Sequence, residues 1–249
     1  MAKHTKIQDK TGKKYFKKKR HLFKIPTFLL LKDELFSPVY FTTTHYIFGI
    51  LVLLISFSVY LHTLIPTVGF HDSGELIAVS YLLGIAHPPG YPLYCLLGKL
   101  WMTLMPIGNI AYRMNMLSAL YAALACMMVY FIVLKITGIQ IRNPKSEIRN
   151  WTSLIPAVVA ALMLAFAVTF WEQAVIAEKY TLNALFATLL IFILLKWQEY
   201  VSNPQSAIRN PQYLYLFAFT LGLSFTHHFQ TLFVVPASMF LIMIILLRC

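Results

Sequence analysis

Six long apolar runs, separated by short polar links, constrain this chain more than any other feature. They lie at about Tyr46–Ile65, Tyr112–Ile136, Trp151–Trp171, Tyr180–Trp197, Tyr213–His227 and Phe229–Leu247. A helix needs about 20 apolar residues to cross the roughly 30 Å hydrocarbon core of a bilayer. Inside hydrocarbon every backbone N–H and C=O must find a partner within the protein, and a helix supplies that by itself. The runs therefore predict an all-α fold, a polytopic transmembrane helical bundle of about six spans. Composition agrees, with 59% of the 249 residues hydrophobic and 12% charged, and a mean hydropathy of +0.68.

The formal net charge of +12 does not point to nucleic acid, because of where the charge sits. Eleven of the 21 Lys and Arg residues precede residue 33. Residues 1–44 read as a basic cytoplasmic tail held near anionic lipid, with an amphipathic piece at Phe23–Phe36 lying on the membrane surface. The first run is longer than a signal-peptide core and no small-residue cleavage site follows it, so it reads as an uncleaved anchor and opens a transmembrane domain at residues 45–249. With the tail inside and six spans alternating, Lys135, Arg142, Lys145, Arg149, Lys196, Arg209 and Arg248 join the tail on the cytoplasmic side, making 18 of the 21. This is a strong positive-inside bias. It places residues 66–111 in an external loop and residues 137–150 and 198–212 in cytoplasmic loops. The stretch Leu93–Ile107 is apolar but carries Lys99 and is bounded by Pro92 and Pro106. It suits a helix lying in the interface rather than a span.

The two cytoplasmic loops carry near-copies, Asn143–Asn150 and Asn203–Asn210. The flanking spans show no matching repeat, so a short repetitive element inserted twice where loops tolerate it explains them, and they carry no function. Cys95, Cys126 and Cys249 have neither metal-ligand spacing nor the pattern of a disulfide framework.

The polar chemistry gathers on the outer side. Asp72, Glu75, Glu172 and Glu178 fall there, as do His62, His71, His87, His227 and His228. Span ends always carry some polar residues, but such convergence beside apolar segments is by default a functional-site signal. Asp72 and Glu75 are spaced i, i+3 and share one face if the backbone there is helical. Their like charges would then raise one of the two pKa values. Solvated loop carboxylates are the bland alternative. Gly84 to Pro92 cannot hold a continuous helix, because Pro88 and Pro89 each lack a backbone donor, and a rigid bend near His87 follows. Tyr180 and Asn183, also i, i+3, can bond a polar ligand where the fourth run begins, or serve as an interfacial aromatic and a helix-start Asn. His227 and His228 fit a phosphate or hydroxyl partner better than a metal, since no HExxH spacing or Cys partner accompanies them. The serines show no Ser-His-Asp signature, and no phosphate-binding Gly-rich loop is present.

Taken together, Asp72-Ser73-Gly74-Glu75, Gly84 to Pro92, Pro106 to Asn109 with Arg113 and Asn115, Glu178 to Asn183, and Thr226-His227-His228 resemble a membrane-protein family first described in bacteria without a known function. A vertebrate protein O-mannosyltransferase acting on plexin-type receptor domains belongs with that family. The resemblance covers about residues 46–240. It extends to the C-type (GT-C) membrane glycosyltransferases, which take sugar from a polyprenyl-phosphate donor and carry an acidic residue in the first external loop. Asp72 holds that position here, with Glu75 beside it. Lys179 departs from the pattern, standing where a smaller or hydrophobic residue is expected. The chain ends at Cys249, whereas family members continue through further spans, so the resemblance implies the N-terminal part of a larger fold.

Glycosyl transfer from a lipid phosphate needs a base for the acceptor hydroxyl and cationic or hydrogen-bonding groups for the departing phosphate. The expected assignment has Asp72 and Glu75 catalytic. His87, Tyr91, Arg113, Glu178, Tyr180, Asn183, His227 and His228 bind substrate. Partial desolvation at the membrane boundary would raise the base's pKa. No metal and no cofactor beyond the lipid-linked sugar are expected. The partners are membrane lipid, the donor, and a protein or glycan acceptor, at the external or periplasmic face of an inner or plasma membrane. The competing readings are a transporter or flippase, a non-catalytic membrane protein, and an inactive truncated fragment. The absence of an inverted repeat and of mid-span charge counts against transport.

Overall fold

A computed structural model describes residues 5–8, 14–17, 41–140, 148–201 and 211–248. The chain divides into two compact units, Met1–Lys32 and Asp33–Cys249. In the first, strands β1 (Thr5–Gln8) and β2 (Lys14–Lys17) pair antiparallel, with Thr5 opposite Lys17. The amphipathic piece at Phe23–Phe36 and the near-copied loops at 143–147 and 203–210 lie outside the described residues.

The second unit is the helical bundle expected from the apolar runs. Its helices are α1 (Thr43–His62), α2 (Ser73–Leu82), α3 (Pro92–Leu104), α4 (Ile110–Gln140), α5 (Ile148–Ala165), α6 (Val168–Ala174), α7 (Tyr180–Val201), α8 (Gln212–Phe225) and α9 (Val234–Arg248). A 3-10 turn at Phe229–Phe233 precedes α9. Helix α4 forms the centre and packs on α1, α5 and α7. Its buried face carries Ala119, Ala122, Ala123, Ala125 and Cys126, small residues that let neighbouring backbones approach closely in a membrane. Gly49 of α1 sits against this face, where an added Cβ would lie 2.7 Å from the Phe131 ring. Helix α1 buries the stripe His45, Gly49, Val52, Ser56 and Tyr60. It exposes Ile47, Ile50, Leu51, Leu54 and Ile55. A water-facing surface of that kind would be a large apolar patch, but facing lipid it carries no penalty.

Three helices among the described residues are long and apolar enough to cross a membrane: α1, the Ile110–Thr137 stretch of α4, and α7. The third expected span is a pair bent by 66°, Thr152–Ala165 and Val168–Ala174. Such a break frees backbone acceptors in the apolar layer, and the Tyr60 hydroxyl of α1 donates to the Ala165 carbonyl at 2.8 Å. The fifth and sixth expected spans are shorter apolar helices, Gln212–Phe225 and Phe229–Ile244. Helix α8, with 14 residues, is only about 21 Å long at 1.5 Å per residue, because the chain turns at Thr226 and His227.

The stretch 66–111 holds two helices, α2 and α3. Helix α3 falls on the apolar stretch Leu93–Ile107, where a helix was expected. It buries Tyr94, Cys95, Gly98 and Met102 and leaves Leu96, Leu100 and Leu104 exposed along one side. Lys99 donates to the Tyr81 carbonyl at 2.6 Å, tying α3 to the end of α2. The expected bend near His87 is present, with Leu83, Gly90 and Tyr91 all at positive φ. Cys95 and Cys126 are free and buried.

Charged pairs mark both ends of the bundle. Lys135 of α4 pairs with Glu199 of α7, and Lys196 reaches the same carboxylate at 3.2 Å. At the other end, where α7 begins, lies the cluster described next.

Candidate active site

Asp72 caps the start of α2 but does not use its side chain on its own helix. The carboxylate turns to the Lys179 ammonium, with which it forms an ion pair and hydrogen bond. The Asp72 backbone N–H donates to Glu178 Oε1 at 3.1 Å. Lys179 is thus wedged between two carboxylates, with Glu178 Oε2 3.8 Å from its nitrogen. The faces of Tyr91 and Tyr180 complete its surroundings, their ring centres 5.3 and 5.2 Å from the ammonium. Such rings attract a desolvated cation. Lys179 and Glu178 are almost fully buried, whereas 42% of the Asp72 side chain is exposed.

Glu75, one turn along α2, binds His87 twice. Its Oε1 accepts the His87 backbone N–H at 2.7 Å and its Oε2 the Nδ1 at 2.8 Å. The other ring nitrogen, Nε2, accepts from the Tyr91 hydroxyl at 3.1 Å and stands 3.8 Å from Asp72 Oδ2. The Gly84–Pro92 bend therefore folds back so that His87 bridges the two carboxylates. His71 and Glu172 form an exposed pair, 3.6 Å apart, outside this centre.

On the far side, His227 is buried and its Nε2 donates to the Lys179 carbonyl at 2.8 Å. Its ring stacks on Tyr94 with centres 5.8 Å apart. His228 stacks on Tyr91 at 5.6 Å and meets Tyr180 at 6.0 Å. Asn183, one turn into α7, donates to Gln230 Oε1 at 3.3 Å and accepts from the Thr231 hydroxyl at 3.0 Å. The Glu178 backbone N–H donates to the Ser118 hydroxyl at 3.3 Å, which anchors the whole link to α4.

Nine of the ten residues singled out from sequence lie in this one cluster: Asp72, Glu75, His87, Tyr91, Glu178, Tyr180, Asn183, His227 and His228. Arg113 does not join it. Its guanidinium donates to the Met102 carbonyl at 2.9 Å and twice to the Gly108 carbonyl, stapling the α3–α4 connection. Sequence reading missed the importance of Lys179, Ser118, Thr231 and Gln230. Lys179 had left a signal, as one of only three basic residues that the positive-inside reading assigns to the outer side and as the neighbour of Glu178.

The electrostatics also differ from expectation. The like charges of Asp72 and Glu75 were expected to raise one of the two pKa values. Instead the Lys179 bond holds Asp72 below the usual carboxylate range against the opposing effect of burial. Glu75 is lowered by its bonds from the His87 side chain and backbone. Each carboxylate has its own partner, and those nearer contacts outweigh the like charge. Burial raises Glu178 instead. Burial alone would lower Lys179, but the Asp72 bond and the nearby Glu178 and Tyr91 bring it above the usual lysine value.

Asp72, Glu75 and His87 can each offer one ligand atom to a cation, and these atoms lie within 4.8 Å of one another. Oxygen and imidazole donors of this kind suit a divalent ion. The Lys179 ammonium already sits against one of the two Asp72 carboxylate oxygens.

The family model for the N-terminal domain of protein O-mannosyl-transferase TMEM260 matches residues 72–247. That interval begins at Asp72 and contains the whole cluster. The mouse protein O-mannosyl-transferase TMEM260 is 37% identical over 128 residues, covering 51% of this chain and 16% of the relative. The Dictyostelium discoideum protein O-mannosyl-transferase tmem260 is 28% identical over 195 residues, covering 75% of this chain and 22% of the relative. The chain thus spans about a fifth of the length of the curated relatives it matches. No solved structure matches it.

Proposed function

The chain belongs to the family of protein O-mannosyl-transferase TMEM260 N-terminal domains, and from that premise we propose that its outer cluster is the site of a membrane glycosyltransferase. It moves a sugar from a polyprenyl-phosphate donor to an acceptor hydroxyl, and the relatives' names favour mannose and a protein acceptor. The observation that carries this reading is the half-exposed Asp72 carboxylate held ionised by a buried ammonium, at the end of an apolar bundle.

In the proposed reaction the acceptor oxygen attacks the anomeric carbon and inverts it. The acceptor proton passes to Asp72 Oδ. The bond between the sugar and the phosphate oxygen breaks, and the phosphate leaves with the electron pair. An ionised carboxylate is in the correct state to accept that proton at neutral pH, although its lowered pKa makes it a weaker base than a raised one. Glu75 holds His87, and His87 limits where Asp72 can swing. Lys179 stands in the same centre and can meet developing negative charge on the phosphate. In this reading the lipid-linked sugar is the only non-protein component. A membrane-embedded enzyme whose donor is anchored in the same bilayer accounts for the mostly apolar chain. The competing transporter reading has no mid-bundle charged site among the described residues to support it.

The test is sugar transfer in proteoliposomes holding a full-length relative, with mannosyl phosphate on an isoprenoid carrier as donor and a hydroxyl-bearing peptide as acceptor. Transfer should occur, invert the anomeric centre, and persist after dialysis against EDTA. Transfer from a nucleotide sugar alone would overturn the reading, and complete loss in EDTA would put a metal at Asp72, Glu75 and His87.

The cluster is proposed to face the exterior or periplasm, from the positive-inside split. With Cys249 replaced by Ser, a cysteine at the exposed Thr67 should react with an impermeant thiol reagent in intact cells, and one at Ser146 should not. The reverse pattern would invert the orientation and remove the external site.

A further inference from the structure

Beside the Asp72–Lys179 centre lies a second group of polar atoms, built from the start of α7 and the 3-10 turn before α9. Its members are Tyr180, Asn183, His228, Gln230 and Thr231. Their mutual bonds fix which hydrogen-bonding atoms remain. The Gln230 backbone N–H donates to His228 Nδ1 at 3.1 Å. That bond requires Nδ1 to be the acceptor, so in the neutral ring the proton lies on Nε2. Burial, and then Lys179, lower the His228 pKa and favour the neutral ring. The Gln230 side-chain oxygen is taken by Asn183, and the two donors of the Gln230 amide nitrogen have no hydrogen-bond partner among the described residues. The buried Thr231 hydroxyl takes one lone pair of the Asn183 oxygen and fixes that amide's orientation. Tyr180 is 39% exposed, and its hydroxyl has no hydrogen-bond partner among the described residues.

The result is a fixed edge with several donors, an amide oxygen with a spare lone pair, and an exposed aromatic ring. It carries no net charge apart from the neighbouring centre. A bare phosphate needs cations and has little use for such an edge. A pyranose ring, with alternating hydroxyls and an apolar C–H face, uses all of it, because a few oriented polar groups in an otherwise apolar surface set ligand orientation. Tyr presents an apolar body with a polar tip suited to such a wet boundary.

We propose that Tyr180, Asn183, His228 and Gln230 form the subsite that recognises the hydroxyls of the transferred hexopyranose, with Gln230 as the specificity-determining residue and Thr231 as the residue that positions Asn183. The inference rests on the glycosyltransferase reading and adds a division of labour. The α2 and α6–α7 link residues serve the reacting atoms, and the 3-10 turn reads the sugar. A site built to bond a hydroxyl discriminates strongly against a ligand lacking it, since its own polar groups are then left unpaired.

The experiment measures binding to the 249-residue chain in lipid nanodiscs. The probes are mannosyl phosphate on a short isoprenoid and the same isoprenoid phosphate without sugar. Wild type should bind the sugar-bearing probe more tightly. Gln230→Ala should weaken that probe about three- to tenfold, the effect of one or two lost hydrogen bonds, and change the sugar-free probe much less. Gln230 is exposed, so the variant should fold, and its unfolding temperature checks this. Gln230→Asn should recover part of the preference. Equal affinity of wild type for both probes would overturn the subsite while leaving the donor reading in place. Equal weakening of both probes in Gln230→Ala, or no change in either, would also overturn it. If neither probe binds wild type, the donor reading and the subsite fail together.

Discussion

Replacing Asp72 with Asn should remove most sugar transfer while leaving the fold intact. Loss of a general base costs ~10²–10⁴-fold in rate, and Asn cannot take the acceptor proton. The fold should tolerate the change because Asp72 is half-exposed and its backbone supplies the structural bonds. Its N–H donates to Glu178, and its carbonyl accepts the Leu76 N–H at 2.9 Å, the first bond of α2. The Asn oxygen can still accept from Lys179. Glu75→Gln should cost less, because Glu75 touches His87 rather than the proposed reacting atoms. The measurement is transfer from a defined isoprenoid-phosphate donor, made at the matching positions of a full-length relative, with unfolding temperature followed in parallel. Wild-type rates in Asp72→Asn would exclude it as the base. Equal loss in both variants would make the two carboxylates and His87 the working unit.

Lys179→Met should have the second large effect, on both stability and pH dependence. The ammonium is buried against Glu178 and Asp72, and breaking such a contact by removing one partner costs about 3–5 kcal/mol when the remaining charge stays buried. Glu178 can relieve part of this by taking a proton, the direction in which burial already drives it. The effect on pH follows from sign. Asp72 has a folded-state pKa below its ordinary value, so its ionised form persists on acidification until pH falls through that lowered value. Without Lys179, His87, His71 and the like charges of Glu75 and Glu178 remain around Asp72, and its pKa must rise. The acidic limb of the transfer profile should therefore move to higher pH in Lys179→Met and stay near wild type in Lys179→Arg. A purely structural lysine would lower activity at every pH without moving the limb. That outcome would separate Lys179 from the chemistry.

The fold class, the placement of α1, α4 and α7, and nine of the residues that meet in the cluster were legible in the sequence alone. The physical reason is local. In hydrocarbon a backbone must satisfy itself, so apolar runs become helices wherever they are long enough, and proline and glycine end them at readable positions. Alternation across a membrane then sorts the polar residues of separate links to one end, so Asp72, His87, Glu178 and His228 could be grouped before any contact was known. The break between α5 and α6 was not legible, because hydropathy runs through it unchanged and the Tyr60 hydroxyl that satisfies it comes from another helix. Nor was the direction of the Asp72 pKa. Sequence offered Glu75, three residues away, as its neighbour, whereas the structure supplies Lys179, 107 residues away. Arg113 had the right charge and an expected place on the same side of the membrane, yet three hydrogen bonds to backbone carbonyls hold it at the α3–α4 turn. Charge strength depends on the nearest partners in space, and spacing along the chain cannot specify those partners once they come from different helices.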